Sequence, residues 1–375
     1  MSTPSMIVPA RPLELRPNRV WRSYRGGRLL SKLEGRADAV DDHFPEDWIG
    51  SAVRAINPAE VSRPGEGLAS VALGEELVGL DELFAEQAEF FFGAEHSKCY
   101  GAQPEFLVKF IDSAERLHFQ CHPTKAFSRE NLDSRYGKFE AYYVLDVRPE
   151  VGEGKVYVGF QRPPARDQLK EIIKRQDIPA LLDCFDPITV KRGDVVIVPG
   201  GVPHALGAGV LLVEILEPSD WVARFEYQRG DYVLPEKDRF MGRGVDFALD
   251  MMDLQAKSVE FVREHYFCPA TVVHQAGNAR REQLIGPAHT DCFQVWKTSW
   301  RGQAQRTVNS YCIAIVTQGS CRLAGPDGFT RELGLFDRVI IPLGMESLRL
   351  DAPEGCELLE CYPPSANPSA EILTA

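Results

Sequence analysis

Four side chains of the kinds that hold divalent metals stand at the borders of short apolar stretches: Gln120, His122, Glu140 and His204. Gln120 and His122 are two residues apart, so on an extended strand both side chains point to the same face. Glu140 opens an apolar strand, where a carboxylate is costly unless it is paired or bound to a cation. Two histidines, a glutamate and a glutamine from three strands can together hold a divalent metal and leave a coordination position open.

Each of these residues also has an ordinary structural explanation. His122 is consistent with a turn residue, and Glu140 with a solvated strand end. His204 is harder to explain by packing, because it sits in a Gly- and Pro-rich turn between two apolar stretches. The pattern of residues alone therefore leaves a metal site and a structural role both open.

The elements that must position these residues are short and apolar. Eight stretches rich in Val, Ile, Phe and Tyr are bounded by Gly, Pro or Asp, as is typical of strands in an antiparallel β-sandwich or barrel. They are Phe106–Ile111, Ala141–Leu145, Lys155–Phe160, Asp194–Val198, Val210–Leu216, Tyr311–Val316, Arg338–Pro342 and Glu357–Cys361.

Helical periodicity is rarer. It predicts helices over Asp81–Phe92, over Ala165–Cys184 in two pieces broken near Pro179, and over Phe247–Phe261. Strands and helices do not alternate, which argues against a parallel α/β sheet. No glycine-rich phosphate loop occurs either, which argues against a dinucleotide- or ATP-binding domain. The chain is predicted to be mainly β with helical insertions.

Two stretches of similar layout indicate two β-sandwich units. Lys191–Gly200 and Leu335–Gly344 each contain a turn, an apolar strand and a Pro near a Gly, and each precedes another apolar strand. We place a first unit at residues 14–228, a linker with a helical segment at 229–268, and a second unit at 269–362. The second unit has no histidine in the turn that corresponds to His204, so we expect its role to be structural.

Charge and cysteine usage limit the possible partners. The 42 Lys and Arg against 54 Asp and Glu give a net charge of −12, which argues against binding to nucleic acid or to anionic membranes. No apolar run is long enough to span a membrane, and the first residues do not have the pattern of a secretory signal. Nine scattered cysteines without a CxxC pair favour a reducing cytoplasm over a disulfide framework.

Four motifs in order along residues 18–228 resemble the class I, zinc-dependent mannose-6-phosphate isomerases, a branch of the cupin superfamily. The segment Leu107–Leu117 followed by Gln120–Pro123 is similar to the strand and metal motif of that family. Gly137–Asp146 resembles the segment that supplies its glutamate, Val198–Gly209 the turn that supplies its last histidine, and Glu214–Arg224 its closing motif. The resemblance implies two cupin-type jelly-roll units.

Carried over by position, the resemblance makes Gln120, His122, Glu140 and His204 the ligands of one Zn²⁺. It makes Arg224 the active-site arginine and Lys138 and Glu214 further residues of the pocket. This chain departs from the family in three places. It has His118 where Ser is usual and Thr124 where Asp is common, and its sequence over Trp221–Glu226 differs from the usual motif around the arginine. Each pocket residue also has a structural alternative: Arg224 as a partner of Asp220 or Glu226, Lys138 as a solvated lysine, and Glu214 as a buried acid paired with a neighbouring base.

The implied reaction interconverts mannose 6-phosphate and fructose 6-phosphate through an enediol, with a small phosphorylated hexose as the partner. It needs a base, a group that stabilises the developing oxyanion and an anchor for phosphate. Zinc can polarise or orient the substrate oxygens without redox chemistry. The sequence leaves open whether Glu214, His118 or a water on the metal moves the proton, and whether the protein is a monomer or a homodimer.

Three other functions remain possible at this stage. The site could isomerise another sugar or sugar phosphate, since His118 and the context of Arg224 differ from the family. A non-catalytic cupin could bind a sugar phosphate to regulate another process, although it would have little need for both metal ligands and Arg224. A cupin dioxygenase is a weaker option, because such enzymes usually have His where this chain has Gln120.

Overall fold

The structure, a computed structural model, describes residues 8–374, and most of its regular structure is strand. The strands of the N-terminal two thirds are β1 Leu13–Glu14, β2 Arg19–Val20, β3 Glu46–Ile49, β4 Ser70–Leu73, β5 Glu76–Gly79, β6 Leu107–Asp112, β7 Gln120–Cys121, β8 Glu140–Val147, β9 Gly154–Val158, β10 Ile188–Val190, β11 Val195–Val198, β12 His204–Leu206, β13 Val210–Leu216, β14 Ala223–Arg224, β15 Gln228–Arg229 and β16 Tyr232–Val233. Those of the C-terminal third are β17 Thr271–Ala276, β18 Ala279–Ile285, β19 Gln294–Thr307, β20 Cys312–Gly319, β21 Cys321–Ala324, β22 Thr330–Leu333, β23 Arg338–Ile341, β24 Ser347–Tyr362 and β25 Leu373–Thr374. The prediction of a mainly β chain with helical insertions is confirmed.

The helices are short, and they connect or cover the sheets. They are α1 Arg28–Leu33, α2 Leu80–Glu86, α3 Ala88–Phe92, α4 Ala94–Tyr100, α5 Lys125–Asn131, α6 Arg166–Arg175, α7 Ile178–Leu182, α8 Glu236–Arg239, α9 Val245–Asp250 and α10 Val259–His265, with 3₁₀ turns at Pro149–Val151 and Leu343–Met345. Within residues 8–374, no helix has the length and apolar character needed to cross a membrane.

Two of the helical predictions need correction. The region 81–92 forms two helices rather than one, and the helix expected over 247–261 is interrupted between α9 and α10. In the interruption the amide of Asp253 donates to the carbonyl of Gly201, and the amide of Lys257 donates to that of Phe160. These backbone bonds to distant loops replace the bonds that a continuous helix would make. The expected break within 165–184 is present, with Pro179 inside the first turn of α7.

Three antiparallel sheets stack in layers. The first has five strands in the order β10-β9-β12-β7-β14, and the second has six in the order β11-β8-β13-β6-β3-β2. The third has ten strands, mostly from the C-terminal third of the chain, and β1 pairs with its strand β23. The six-stranded sheet is therefore the middle layer.

Strand β8 shows how the middle sheet serves two cores. Tyr142 and Val144 belong to the apolar core shared with the five-stranded sheet. Tyr143 and Leu145 belong to the core shared with the ten-stranded sheet. Because successive side chains of a strand alternate between its faces, the first residue of this strand, Glu140, lies on the side of the five-stranded sheet.

The C-terminal third is joined to the rest through this outer core. Ile313 and Leu359 of the third sheet, and Phe293 directly before its strand β19, are fully buried there with Phe110 and Ile215 of the middle sheet. A second apolar core lies within the ten-stranded sheet itself. The division into two units at 14–228 and 269–362 stays a prediction. If it is right, the two units share a continuous apolar core.

This shared core gives a stability prediction. Phe293 has no exposed surface and its ring lies 5.9 Å from that of Phe139. Phe293→Ala should lower the free energy of unfolding by about 3–5 kcal/mol, because it leaves a cavity between the sheets. Urea unfolding followed by tryptophan fluorescence measures the change.

Phe261→Ala is the matched control, since Phe261 is 37% exposed and its loss should cost less than about 1 kcal/mol. Equal effects of the two substitutions would show that the contact between the middle and third sheets contributes little to stability.

Candidate metal centre

The four predicted metal-binding residues meet between the first two sheets. Gln120 lies on β7 of the five-stranded sheet, opposite His204 of β12 on one side and Arg224 of β14 on the other. His122 follows β7 directly, and Glu140 faces them from the middle sheet. Ligand atoms of His122, Glu140 and His204 all lie within 4.8 Å of one another.

Two glycines let the turn before His204 approach His122 closely. A Cβ on Gly200 would come within 2.6 Å of the carbonyl oxygen of Pro123, and Gly201 adopts a φ of +87°. The amide of Gly201 donates to the carbonyl oxygen of His122 at 2.7 Å. Only glycine tolerates both the contact and the left-handed backbone, so the Gly-Gly pair fixes the spacing between the two histidines.

Backbone carbonyls set the orientation of both imidazoles. Nδ1 of His122 lies 2.7 Å from the carbonyl oxygen of Trp221, and Nδ1 of His204 lies 2.8 Å from that of Val202. A carbonyl only accepts hydrogen bonds, so each Nδ1 carries a proton, and in the neutral ring each Nε2 presents a lone pair. Nε2 of His122 lies 3.0 Å from Oε1 of Glu140, and Nε2 of His204 lies 3.4 Å from its Oε2.

The charge states also suit a cation. Burial lowers the pKa of His122 to about 3, so its ring is neutral at ordinary pH. Burial opposes ionisation of Glu140, but the neighbouring ammonium of Lys138 favours it, and the pKa of Glu140 lies well below its usual value. An ionised carboxylate with no exposed surface thus faces the imidazoles of His122 and His204, an arrangement that favours a bound cation.

The residues fit a metal of the zinc type. Oε1 of Glu140 is buried and takes no well-formed hydrogen bond, although Nζ of Lys138 lies 3.0 Å away. Nε2 of Gln120 lies 3.3 Å from Nε2 of His204, and a half-turn of the amide presents its Oε1 there instead. The two imidazole nitrogens and the carboxylate oxygen are donors that Zn²⁺ prefers, and a glutamine oxygen can add to them.

Removing one imidazole tests the centre directly. His122→Ala should abolish stoichiometric binding of a divalent metal, since it removes one of three converging ligand atoms. Elemental analysis after dialysis against zinc-containing and then metal-free buffer measures the bound metal.

His265→Ala provides the comparison, because His265 is exposed and stacks only on Phe261. Metal retained equally by His122→Ala and wild type would exclude this cluster as the metal centre.

Of the three further predicted residues, Lys138 lies beside the centre. It is buried, and its Nζ lies 3.3 Å from Nε2 of His122 as well as 3.0 Å from Glu140. The structural alternative of a solvated lysine is therefore wrong.

Arg224 is half-buried, and within residues 8–374 its guanidinium makes no hydrogen bond or ion pair. The acids expected as its alternative partners are bound elsewhere: Asp220 pairs with Arg22 at 3.3 Å, and Glu226 pairs with Arg116 at 2.6 Å. The arginine is thus free to meet an anion.

Glu214 lies one strand further from the centre. Its Oε2 is 3.0 Å from Nζ of Lys109, so the structural alternative of a paired buried acid is realised. The same lysine lies 3.6 Å from Glu46, which also binds Arg22 at 3.0 Å. Burial and the charge of Glu140 raise the pKa of Glu214 to about 7.

These buried charges beside Glu214 were not predicted from the sequence. The signal for Lys109 was present, since it is a single cation within the apolar strand Leu107–Asp112. Arg22, Glu46 and Asp220 come from separate segments, and only the fold brings them to Lys109.

Two connected spaces adjoin the centre. An inner cavity is bordered by Gln120, Lys138, Lys109, Glu214, His118 and Arg224, among others. An outer cleft of about 790 Å³ has walls from Trp21, Ser23, Asn57, Arg63, Lys237 and again Arg224. Three residues border both spaces: Arg224, Asp220 and Val222. The guanidinium of Arg224 therefore lies between the outer cleft and the inner cavity beside the metal centre.

The raised pKa of Glu214 gives a pH prediction for protein stripped of metal with EDTA. Between pH 4.5 and about 7 the folded protein holds a proton on Glu214 that the unfolded chain has lost, so stability falls as the pH rises through this window. Glu214→Gln should therefore be more stable than wild type above pH 7, with the advantage shrinking toward pH 4.5. Urea midpoints at pH 8 and pH 5 measure it.

Glu354→Gln is the control, since that side chain is 90% exposed and its removal should not change the pH dependence. A Glu214→Gln variant that is less stable at both pH values would mean that the ion pair with Lys109 outweighs the burial of the charge.

Comparisons with known proteins agree with this geometry. The sequence is 31% identical over 269 residues to a putative mannose-6-phosphate isomerase of Bacillus subtilis, covering 71% of this chain and 76% of that protein. It is 32% identical over 223 residues to a mannose-6-phosphate isomerase of Streptococcus mutans; the match covers 59% of this chain and spans 63% of the length of that relative. No family model matches the sequence.

Solved structures share the fold over nearly the whole chain. The mannose 6-phosphate isomerase of Bacillus subtilis superposes with a TM-score of 0.73 at 21% identity, covering 94% of this chain and 99% of that one. A mannose 6-phosphate isomerase solved with zinc and yttrium has a TM-score of 0.66 at 14% identity, with the same coverage of both chains.

Proposed function

The chain belongs to the class I mannose-6-phosphate isomerase family, and from this premise we propose that it interconverts mannose 6-phosphate and fructose 6-phosphate with the aid of a bound metal. The observation that carries the proposal is the unpaired Arg224 between the outer cleft and the buried His122, Glu140 and His204. A protein that only binds a sugar phosphate would have little use for both features. An isomerase needs a metal centre and a cation close to the same bound substrate.

We propose that the metal is zinc, held by Gln120, His122, Glu140 and His204. Two neutral imidazoles, one carboxylate and one amide oxygen leave the bound ion with a net positive charge. Zinc in this position would supply Lewis-acid polarisation of substrate oxygens without redox chemistry. A zinc-bound structural neighbour supports the choice of ion.

Side chains of the inner cavity supply the other needs of the reaction. Arg224 remains charged and offers a fork of donors, which suits an oxyanion that develops on the sugar or the phosphate itself. Lys138 donates toward oxygens beside the metal ligands. Glu214, with a pKa near 7, is suited to accept a proton from one carbon of the sugar and return it to the next.

The charges around the cavity are matched to a phosphorylated substrate. Four cations, Arg22, Lys109, Lys138 and Arg224, surround it. Four carboxylates, Glu46, Glu214, Asp220 and Glu140, balance them. A dication added to this balanced set leaves an excess of two positive charges, and a sugar phosphate carries about −1.5 to −2 at neutral pH.

A phosphorylated sugar is the partner that this family implies. That the protein works as a monomer or a homodimer, and that it resides in the cytoplasm, stay predictions from the sequence.

Turnover by the metal-loaded protein tests the function, and Arg224 tests the site. Arg224→Ala should lower kcat/KM for mannose 6-phosphate on the order of 100- to 1000-fold, because it removes a cation aimed at developing negative charge. Its metal content should stay that of wild type. A coupled assay that detects fructose 6-phosphate measures the rate.

Arg166→Ala is the control, since that arginine is exposed and borders neither the outer cleft nor the inner cavity. Zinc-loaded wild type without turnover of mannose 6-phosphate would reject the function, and turnover confined to another sugar phosphate would replace the substrate. Normal turnover by Arg224→Ala would reject only the role of the arginine.

A further inference from the structure

Ser23 and His118 form a hydrogen-bonded pair at the border between the two spaces. Oγ of Ser23 lies 3.0 Å from Nε2 of His118, and both side chains are buried. Ser23 borders the outer cleft and His118 borders the inner cavity, while Arg224 borders both. The pair therefore lies near Arg224, at the border between the outer cleft and the inner cavity.

The backbone determines which atom of the pair donates. Nδ1 of His118 lies 2.9 Å from the carbonyl oxygen of Glu226, so Nδ1 carries the proton and Nε2 is an acceptor. The hydroxyl of Ser23 must then donate its proton to Nε2. Within residues 8–374 no other side chain takes a hydrogen bond from this hydroxyl.

The segment that holds His118 is itself fixed. The carboxylate of Glu226 accepts from both terminal nitrogens of Arg116 at 2.7 and 2.6 Å, and from the amide of Phe119 at 2.7 Å. Arg229 donates to the same carboxylate. These bonds keep the imidazole from turning, so the donor direction within the pair is built into the fold.

A hydroxyl that has given its proton to His118 can only accept further hydrogen bonds. Phosphate at neutral pH is mainly an acceptor, whereas each sugar hydroxyl is also a donor. We infer that Ser23 accepts a hydrogen bond from a hydroxyl group of the sugar, and that His118 is a positioning residue that keeps Ser23 in this accepting orientation. This inference rests on the proposed function. It adds Ser23 as a residue that binds the sugar rather than the phosphate.

The effect of removing the hydroxyl should be modest and specific. One hydrogen bond between uncharged groups corresponds to about a three- to tenfold loss in kcat/KM, and it should appear mainly in KM because the bond forms before the chemical step. Ser23→Ala should show this loss for mannose 6-phosphate. The inhibition constant of inorganic phosphate, the probe for the phosphate-binding groups, should not change.

Substitutions of His118 test the coupling. His118→Leu removes the acceptor and should lower kcat/KM as much as Ser23→Ala does, while the double variant should be no worse than either alone. His118→Gln offers an amide oxygen to Ser23 and an amide NH₂ to the carbonyl of Glu226, so it should recover most of the activity. Ser320→Ala, at an exposed site of the C-terminal sheet, is the control.

The measurements are kcat, KM, phosphate inhibition and zinc content of each full-length, zinc-loaded variant. Zinc content should equal that of wild type, although His118 is two residues from Gln120. An inactive wild type would reject the proposed function. With an active wild type, the inference would be overturned if Ser23→Ala left kcat/KM unchanged, or if phosphate inhibition weakened as KM rose. Additive losses in the double variant, or loss of zinc from any variant, would also overturn it.

Discussion

The carboxylate of Glu140 has no exposed surface, and the rest of the site depends on how its charge is balanced. An unpaired ion in a protein interior costs several kcal/mol or more. In their neutral form the two adjacent imidazoles supply no donors, because the proton of each ring lies on Nδ1, toward the carbonyls of Trp221 and Val202. Tyr142 donates one hydrogen bond at 2.8 Å and Lys138 supplies one positive charge. Lone pairs from both histidines still converge on the carboxylate, so a cation is what makes this cluster stable as well as reactive.

The middle sheet is what can place a charge so deeply. Its strands are covered on both faces, by the five-stranded sheet on the side of the site and by the ten-stranded sheet on the other. Glu214 and Lys109, which are paired across β13 and β6, lie on the same face as Glu140, whereas Val213 and Phe110 pack outward. The C-terminal third therefore contributes to the chemistry without touching it, because it covers the outer face of the sheet that carries the charged groups.

That His122, Glu140 and His204 come together could be expected from the sequence, since each lies at a strand border marked by Gly, Pro or an abrupt change in polarity. Their convergence depends on the fold, and it could be expected because the order of the motifs resembles that of a known family. The buried partners of Lys109 could not be predicted in this way, because Arg22, Glu46 and Asp220 are far apart in sequence and only the fold joins them. The helix expected over 247–261 was wrong for a related reason. Its amides bond to the carbonyls of Gly201 and Phe160, near the site, and such long-range bonds leave no trace in helical periodicity.

The acidic surface and the anionic substrate are compatible because they act over different distances. Exposed charges of a chain with a net charge of −12 are screened within about 8 Å at physiological salt. In the proposed function, Arg224 and Lys138 would meet the substrate at contact distance, where charge interactions are several times stronger than between separated surface charges. The pairs Arg22 with Asp220 and Lys109 with Glu214 cancel each other, so they tune the cavity without adding to its attraction. The positive charge left for a phosphate is therefore that of Arg224 together with Arg63 and Lys237 on the wall of the outer cleft. A phosphate held by these groups would leave the metal to the oxygens of the sugar, as the proposed reaction needs.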